Sequence, residues 1–189
     1  MRSLAKKKGK PKRWFSIIAP KVFNHMEIGK TLASDSSLLI GRRVTLNLTE
    51  LTNDLSKYYM KFTFKIKKVE GDKAFSEFDG SECLRDYISR MVLRRVRRID
   101  IIQDLETKDG VKVRVKSIII APRGIKSTIE KTMRKQMGEL IKKEVENSTL
   151  DEFVMAIATD KIKKKVMKEA RKIYPIRNFE IRKTEVLGG

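Results

Sequence analysis

The stretch MKFTFKIK, residues 60–67, decides the fold class. Its apolar side chains, Met60, Phe62, Phe64 and Ile66, alternate with lysine and threonine. A period of two residues is typical of a β-strand that buries one face. The apolar face needs a core to pack on, whereas the other face is basic. The stretch therefore predicts a β-sheet whose buried side contains the two phenylalanines.

Further strands are predicted on both sides of this stretch. The turn at residues 70–72 predicts that residues 72–79 pair back on it. The sequence Lys108-Asp109-Gly110 predicts a hairpin between residues 98–107 and 111–121, because Asp-Gly accepts the positive φ of a tight turn. The remaining predicted strands are residues 14–20, 43–48 and 176–186. Hairpin connections favour an antiparallel sheet that curls into a barrel.

Segments with apolar residues at helical spacing interrupt the strands. The predicted helices are residues 82–96, residues 128–146, a segment that follows Thr149, and residues 160–173. Ser127 with Glu130, and Thr149 with Glu152, have the spacing of capping boxes, in which each side chain satisfies a free backbone N–H. The predicted class is α+β, with an antiparallel β-barrel-like core and helices packed on it.

Length and composition predict one folded domain behind a basic tail. The chain has 189 residues, of which 40% are hydrophobic, and this is enough for a real core. Residues 1–13 carry seven lysines and arginines and no acid, so this tail is predicted to be disordered when free. Residues 14–189 are predicted to form a single α+β domain.

The charge of the chain predicts a polyanionic partner. Lysine and arginine total 44 against 24 acids, which gives a net charge of +20. Such a protein repels itself and attracts nucleic acid or an anionic membrane. The sequence contains no run of 18 apolar residues, no apolar segment near Met1 that resembles a secretory signal, and a single cysteine. We expect a cytoplasmic protein that does not bind membranes.

No catalytic residue, cofactor or small-molecule substrate is predicted. His25, the one histidine, lacks neighbours at metal-ligand spacing. Cys83, at the start of a predicted helix, has no histidine near it in sequence. Gly29-Lys30-Thr31 resembles the end of a phosphate-binding loop, but Asn24 stands where that loop needs glycine.

One metal-dependent alternative stays open at this point. Asp100, Asp104 and Glu106 lie on one side of a predicted strand, a spacing that would allow them to gather a divalent ion as the carboxylates of nucleases do. Carboxylates in such a position more often pair with neighbouring arginines, and we expect no metal site.

Clusters of lysine and arginine are the candidates for contact with RNA phosphates, because each such contact releases a counterion. The densest cluster lies between the end of a predicted helix and the entry to a strand, and it exceeds what a helix dipole alone requires. Aromatic residues are only 7%, which favours recognition of backbone shape over reading of single strands. The predicted RNA-binding residues are Lys6, Lys7, Lys8, Lys10, Lys12, Arg13, Arg42, Arg43, Arg90, Arg94, Arg95, Arg97, Arg98, Arg123 and Lys126.

Over nearly its full length the chain resembles the S-three-a-e family of small-subunit ribosomal proteins of archaea and eukaryotes. The matching stretches are residues 12–23, 28–31, 41–54, 107–110 and 173–183. Their order and spacing together carry the resemblance. The chain ends shortly after the last stretch and lacks the longer tail of eukaryotic members, so it resembles the archaeal form.

The resemblance implies a ribosome-bound structural protein with a β-barrel-like core. It implies contact with small-subunit ribosomal RNA and with platform proteins, near the 3′ end of that RNA and the messenger exit path. Messenger RNA and initiation factors would then lie nearby. Composition alone leaves three other classes open: a free RNA chaperone or translation factor, an RNA-processing enzyme, and a membrane-surface protein.

Overall fold

The computed structural model describes residues 11–122 and 124–188. The strands are β1 (Arg13–Ile18), β2 (Glu27–Ala33), β3 (Arg43–Asn47), β4 (Met60–Glu70), β5 (Lys73–Cys83), β6 (Arg97–Glu106), β7 (Lys112–Ala121) and β8 (Asn178–Leu187). The helices are α1 (Leu48–Thr52), α2 (Arg85–Met91), α3 (Ser127–Glu146), α4 (Leu150–Ala158) and α5 (Lys161–Ile173). The predicted α+β class is confirmed.

The strands form one open sheet, so the predicted barrel is wrong. Pairing follows the order β2-β1-β5-β8-β7-β6, with β4 on β5 and β3 on β4. A barrel requires its two end strands to pair, and among the described residues β2 and β6 do not pair with each other. The sheet is also mixed rather than purely antiparallel, because β1 runs parallel to the start of β5.

The chain divides into two compact units. The first consists of Met1–Val44 and Phe64–Phe78. There β1 pairs with β2 in antiparallel register. Phe15 and Ile17 of β1 pack with Leu39, Ile66 and Ala74 in a core that excludes water.

The second unit consists of Thr45–Thr63 and Asp79–Gly189 and contains the three-stranded antiparallel ladder β6-β7-β8. The predicted hairpin between β6 and β7 is confirmed, and Gly110 in its turn has a φ of 75°. Helix α3 packs on β6 and on α5, which in turn packs on α4 and β8. Phe153 of α4 and Phe179 of β8 are fully buried in this unit.

The alternation in residues 60–67 gives β4 one buried face, as predicted. Phe62 and Phe64 are fully buried, while Lys67 on the other face is exposed. The turn after β4 leads directly into β5, which pairs with β4 as predicted. The strand that the sequence did not predict is β2, where Gly29-Lys30-Thr31 is extended and pairs with β1 instead of forming a phosphate-binding loop.

The first predicted helix is shorter than expected. Strand β5 continues to Cys83, and α2 contains only Arg85–Met91. Cross-strand pairing of Ser81 and Glu82 with β8 overrides the helical spacing of the apolar residues that follow. The arginines after Met91 therefore lie in a loop and at the start of β6.

One of the two predicted capping boxes is confirmed and one is wrong. The hydroxyl of Thr149 accepts from the Glu152 N–H at 3.3 Å, and the Glu152 carboxylate accepts from the Thr149 N–H at 2.9 Å. Ser127 instead lies inside α3, whose N-cap residue is Lys126 and has no side-chain cap. The Glu130 carboxylate is engaged by arginine side chains, so it does not return to the helix start.

Candidate nucleic-acid interface

Three basic loops meet at one end of the β6-β7-β8 ladder. Arg97 at the start of β6 is paired with Ala121 at the end of β7, and Ile120 is paired with Asn178 at the start of β8. The register therefore brings together the loops before β6, after β7 and before β8. The N–H of Arg177 donates to the carbonyl oxygen of Ile120 at 2.7 Å and holds the third loop in place.

An open groove lies between these loops, and we call it the arginine groove. Its lining residues are Leu93, Arg94, Arg95, Val96, Pro122, Gly124 and Arg177. Among these described residues three are arginines and none is acidic, so the part of the groove that they form is positively charged. Gly124 has no side chain to fill the groove, and nothing lies within 4 Å of the position that a Cβ would take there. An anion can therefore approach the backbone at this point.

The arginines of the groove keep their charge available for a ligand. Arg94, Arg95 and Arg177 are exposed, and in the described part of the chain none of them pairs with a carboxylate. Arg95 has a φ of 68°, a left-handed conformation that non-glycine residues adopt rarely. The chain reverses there between α2 and β6.

Arg97 and Arg98 differ from the groove arginines because each has a partner within the protein. Arg97 donates to Oε2 of Glu130 from Nε at 3.0 Å and from Nη2 at 2.9 Å. Arg98 donates to Oδ1 of Asp100 from Nε at 3.0 Å and from Nη2 at 2.6 Å. These pairs hold the entry of β6, and part of each charge is already neutralised.

The other predicted RNA-binding residues are distributed over the chain. Arg90 is exposed in the last turn of α2, and Lys126 is exposed two residues beyond Gly124. Lys12, Arg13, Arg42 and Arg43 are exposed and belong to the first unit. The positions that lie outside the described residues are Lys6, Lys7, Lys8, Lys10 and Arg123.

Arg177 is the groove residue that sequence reasoning missed. It lies directly before β8, and the nearest arginines in sequence, Arg171 and Arg182, are five or more residues away, so no local cluster of arginines includes it. The signal that identifies it is the pairing of β8 with β7, which brings residue 177 beside the loop after Ala121. Sequence patterns do not reveal that register.

The three carboxylates considered as metal ligands do not gather. Asp100 accepts from Arg98, while Asp104 accepts from Arg114 through both oxygens at 2.6 and 2.8 Å. The hydrogen bond from Arg114 lowers the pKa of Asp104. Among the described residues there is no group of three or more side chains suited to hold a metal ion.

Cys83 and His25 lack the surroundings of catalytic groups. Cys83 ends β5 instead of beginning a helix, and its thiol donates to the Ile181 carbonyl oxygen at 3.2 Å. Burial raises the pKa of this thiol to about 12, so the nucleophilic thiolate is scarce at neutral pH. His25 is exposed and lies in a turn with a φ of 51°.

A second cluster of titratable groups lies inside the second unit. Glu180 of β8 accepts from the Tyr87 hydroxyl at 2.9 Å and forms an ion pair with Lys163 of α5. Burial raises the pKa of Glu180, while the hydrogen bond from Lys163 acts in the opposite direction. These contacts tie α2 and α5 to β8, and the carboxylate is only 2% exposed. The cluster is therefore a buried support for the fold.

No helix in the described ranges has the length and apolar character that crossing a membrane requires. Comparison with known proteins gives a consistent result over almost the whole chain. The model of the Ribosomal S3Ae family matches residues 2–189. The small ribosomal subunit protein eS1 of Methanopyrus kandleri is 39% identical over 188 residues, which cover 97% of this chain and 89% of that protein.

The protein of the same name from Saccharolobus islandicus, strain L.S.2.15, is 38% identical over 182 residues, covering 96% of this chain and 88% of that protein. Both relatives are archaeal, and the resemblance found in the short sequence stretches extends across both units. The chain therefore belongs to the Ribosomal S3Ae family, whose members are structural proteins of the ribosome and not enzymes.

Proposed function

We propose that this protein is a structural component of the small ribosomal subunit and that it binds ribosomal RNA through the arginine groove. The observation that carries the proposal is the convergence of Arg94, Arg95 and Arg177 in one groove, whose described lining residues include no carboxylate. The names of the archaeal relatives support the ribosomal role. The net charge of +20 is what a protein inside a phosphate-rich particle needs.

The groove suits phosphates for a geometric reason. A guanidinium group offers several N–H donors in one plane and can bind two phosphate oxygens at once. The arginines extend from two separate loops, before β6 and before β8, so they can approach a folded RNA backbone from two sides. Because Gly124 adds no side chain, a phosphate can also reach the main chain. This is contact with the shape of the RNA backbone, and it does not require reading of bases.

Other exposed cations extend the proposed contact. In the second unit Arg90 and Lys126 lie in segments that flank the groove in sequence. Arg97 and Arg98 support the groove through their pairs with Glu130 and Asp100 and keep some N–H groups for phosphate. The remaining proposed RNA contacts are Lys6, Lys7, Lys8, Lys10, Lys12, Arg13, Arg42, Arg43 and Arg123.

The family resemblance supports a more detailed place for the protein. We propose that it lies on the platform of the small subunit, near the messenger exit path, beside other platform proteins and in the cytoplasm. Messenger RNA and initiation factors then pass close to it. None of these neighbours requires an enzymatic group on this chain.

Sedimentation tests the ribosomal role. Native protein in a cell lysate is separated on a sucrose gradient before and after a wash with increasing salt. We expect the protein to travel with small subunits and to remain there through a moderate wash. A protein that stays at the top of the gradient, or leaves at the first increase in salt, would be a free or loosely bound factor instead.

A further inference from the structure

Trp14 is the only tryptophan of the chain, and its side chain is not part of a core. It is 61% exposed, although its neighbour Phe15 is 2% exposed and Ile17 is also 2% exposed. Side chains alternate between the two faces of a strand, so Trp14 lies on the face of β1 opposite the core of the first unit. Single exposed apolar side chains are common on protein surfaces, so the significance of this ring depends on what surrounds it.

The strand register shows what surrounds this ring. Trp14 lies directly opposite Leu32 of β2, which is itself 41% exposed. Two residues further along β1, Ser16 lies between Lys30 of β2 and Lys73 of β5. Both lysines are exposed and share the face of Trp14. The ring is therefore followed, roughly 7 Å along the strand, by a row that carries two ammonium groups.

A third cation lies at the outer edge of β2, beside Thr31, which is opposite Phe15 and therefore on the other face of the strands from Trp14. The Arg42 guanidinium donates from Nη1 to the Thr31 hydroxyl at 2.6 Å and to the Leu32 carbonyl oxygen at 3.2 Å. Within the described residues Arg42 has no carboxylate partner. The acids nearest in the register are Asp72, whose carbonyl oxygen accepts from the Ser16 N–H at 2.9 Å, and Glu27, which is 3.9 Å from Lys30. Both residues paired with Ser16 on the face of Trp14 are nevertheless lysines.

From this arrangement we propose that Trp14 is a stacking site for an unpaired RNA base, with the adjoining phosphates held by Lys30 and Lys73. An aromatic ring between cations is the arrangement with which proteins bind single-stranded nucleic acid, since every base has a face that can stack. A protein partner would favour a wider apolar patch with few charges at its centre. Here Leu32 is the one apolar side chain directly paired with Trp14.

This inference deepens the proposed function and rests on it, because it names the part of the RNA that this face would bind. It also modifies the expectation, drawn from the low aromatic content, that the protein recognises backbone shape rather than single strands. The low aromatic content holds for the chain as a whole, and Phe62 and Phe64 are indeed buried. One exposed ring beside two cations is nevertheless enough for one base.

Intrinsic fluorescence tests the inference at a single residue, because Trp14 is the only indole. The full-length protein is titrated with a short single-stranded adenylate RNA, with duplex RNA and with inorganic polyphosphate, which has charge but no base. Fluorescence anisotropy of labelled RNA reports binding in the same solutions. We expect the single strand to quench Trp14, and duplex RNA and polyphosphate to bind with little quenching.

Variants separate stacking from charge. Trp14→Ala should weaken binding of the adenylate strand about 5- to 150-fold without changing the salt slope, because no phosphate contact is lost. Trp14→Phe keeps a ring and should lose less. Ile102→Ala is the matched control, since Ile102 is 60% exposed on β6 and is not part of this face. The exposed position of Trp14 means that neither substitution should disturb the fold.

The outcomes distinguish this inference from the function on which it rests. Binding of the strand without quenching, quenching by polyphosphate to the same extent, or an unchanged affinity of Trp14→Ala would overturn the stacking site and leave RNA binding intact. If Trp14→Ala binds RNA normally but loses a protein neighbour in assembled subunits, the ring docks on protein and the inference is wrong. If neither the strand nor small-subunit RNA binds, the proposed function also fails.

Discussion

The backbone N–H of Arg177 and the carbonyl oxygen of Ile120 are joined by a hydrogen bond of 2.7 Å. This bond fixes the loop before β8 against the end of β7, and it places a guanidinium group opposite Arg94 and Arg95, which come from a loop more than eighty residues earlier in the sequence. The groove is thus a product of the sheet register and not of a local motif.

Loss of Glu130 should destabilise the second unit. This side chain is 12% exposed and accepts from Arg97 and from Arg134, whose Nη2 is 2.9 Å from Oε1. Glu130→Ala leaves both arginines without their carboxylate, and we expect the free energy of unfolding to fall by about 1–3 kcal/mol. Urea denaturation of both proteins measures this change in the free energy of unfolding.

Glu139→Ala is the control, because Glu139 is at an exposed position of the same helix. It should change the free energy of unfolding by less than about 0.5 kcal/mol. Equal effects of the two substitutions would contradict the role of Glu130.

Glu185 should make stability depend on pH in the acid range. Hydrogen bonds from Lys183 at 2.8 Å and from Lys116 at 2.9 Å lower the pKa of its carboxyl from 4.5 to about 2. Because the folded pKa lies below the unfolded value, this contribution is fully present above pH 4.5 and is lost as the pH falls towards about 2.

We therefore expect Glu185→Gln to be less stable than the wild type at pH 7, by about 1 kcal/mol after allowance for solvent screening. The difference should shrink steadily in urea titrations below pH 4.5 and mostly disappear near pH 2. Glu139→Gln controls for the loss of an exposed surface charge. A difference that stays constant across this pH range would show that the two lysines do not act through the charge of Glu185.

A side chain at Gly80 should disturb the pairing of β5 with β8. A Cβ at this position would lie 2.4 Å from the backbone carbonyl oxygen of Thr184, and backbone cannot move aside as a flexible side chain can. We expect Gly80→Ala to cost about 1–3 kcal/mol of stability, as overpacked positions do. Gly124→Ala is the control, since nothing lies within 4 Å of its Cβ position. A thermal midpoint for Gly80→Ala equal to that of the control would contradict this account.

The cap of α4 provides a further check on local structure. Thr149 and Glu152 satisfy each other's backbone N–H groups, so Thr149→Ala should lower the free energy of unfolding by about 1 kcal/mol. Ser127→Ala should have a much smaller effect, because Ser127 makes no capping hydrogen bond. The comparison is made by urea denaturation of both variants. The reverse order of effects would mean that Ser127 caps α3 as the sequence pattern predicts.

The sequence predicts those features that depend on local period and turn chemistry. The alternation around Phe62, the Asp109-Gly110 turn and the box at Thr149 all indicate structure that the fold contains. Features that depend on long-range pairing are missed. The end of β5 at Cys83 is set by β8, about a hundred residues later, and the open sheet follows from which strands meet.

In the candidate site, too, local sequence predicts some features, whereas others depend on contacts between distant residues. The cluster from Arg90 to Arg98 is visible as a run of charge, but the sequence does not distinguish Arg94 and Arg95 from Arg97 and Arg98. The distinction comes from Glu130 and Asp100, of which the first is far away in sequence. Arg177 and the exposure of Trp14 likewise depend on strand register.

The salt dependence of binding tests the central claim most directly. The affinity for small-subunit ribosomal RNA is measured over a range of salt for the wild type and for Arg94→Ala/Arg95→Ala/Arg177→Ala. The control Lys164→Ala/Lys168→Ala/Arg171→Ala removes the same charge from exposed positions of α5. We expect the groove variant to lose affinity and to flatten the slope by up to about three contacts, roughly 0.9 each on duplex or 0.7 on single strands. The control should retain most of the wild-type slope. An unchanged slope in the groove variant, or an equal loss in both, would contradict the arginine groove as the RNA-binding site.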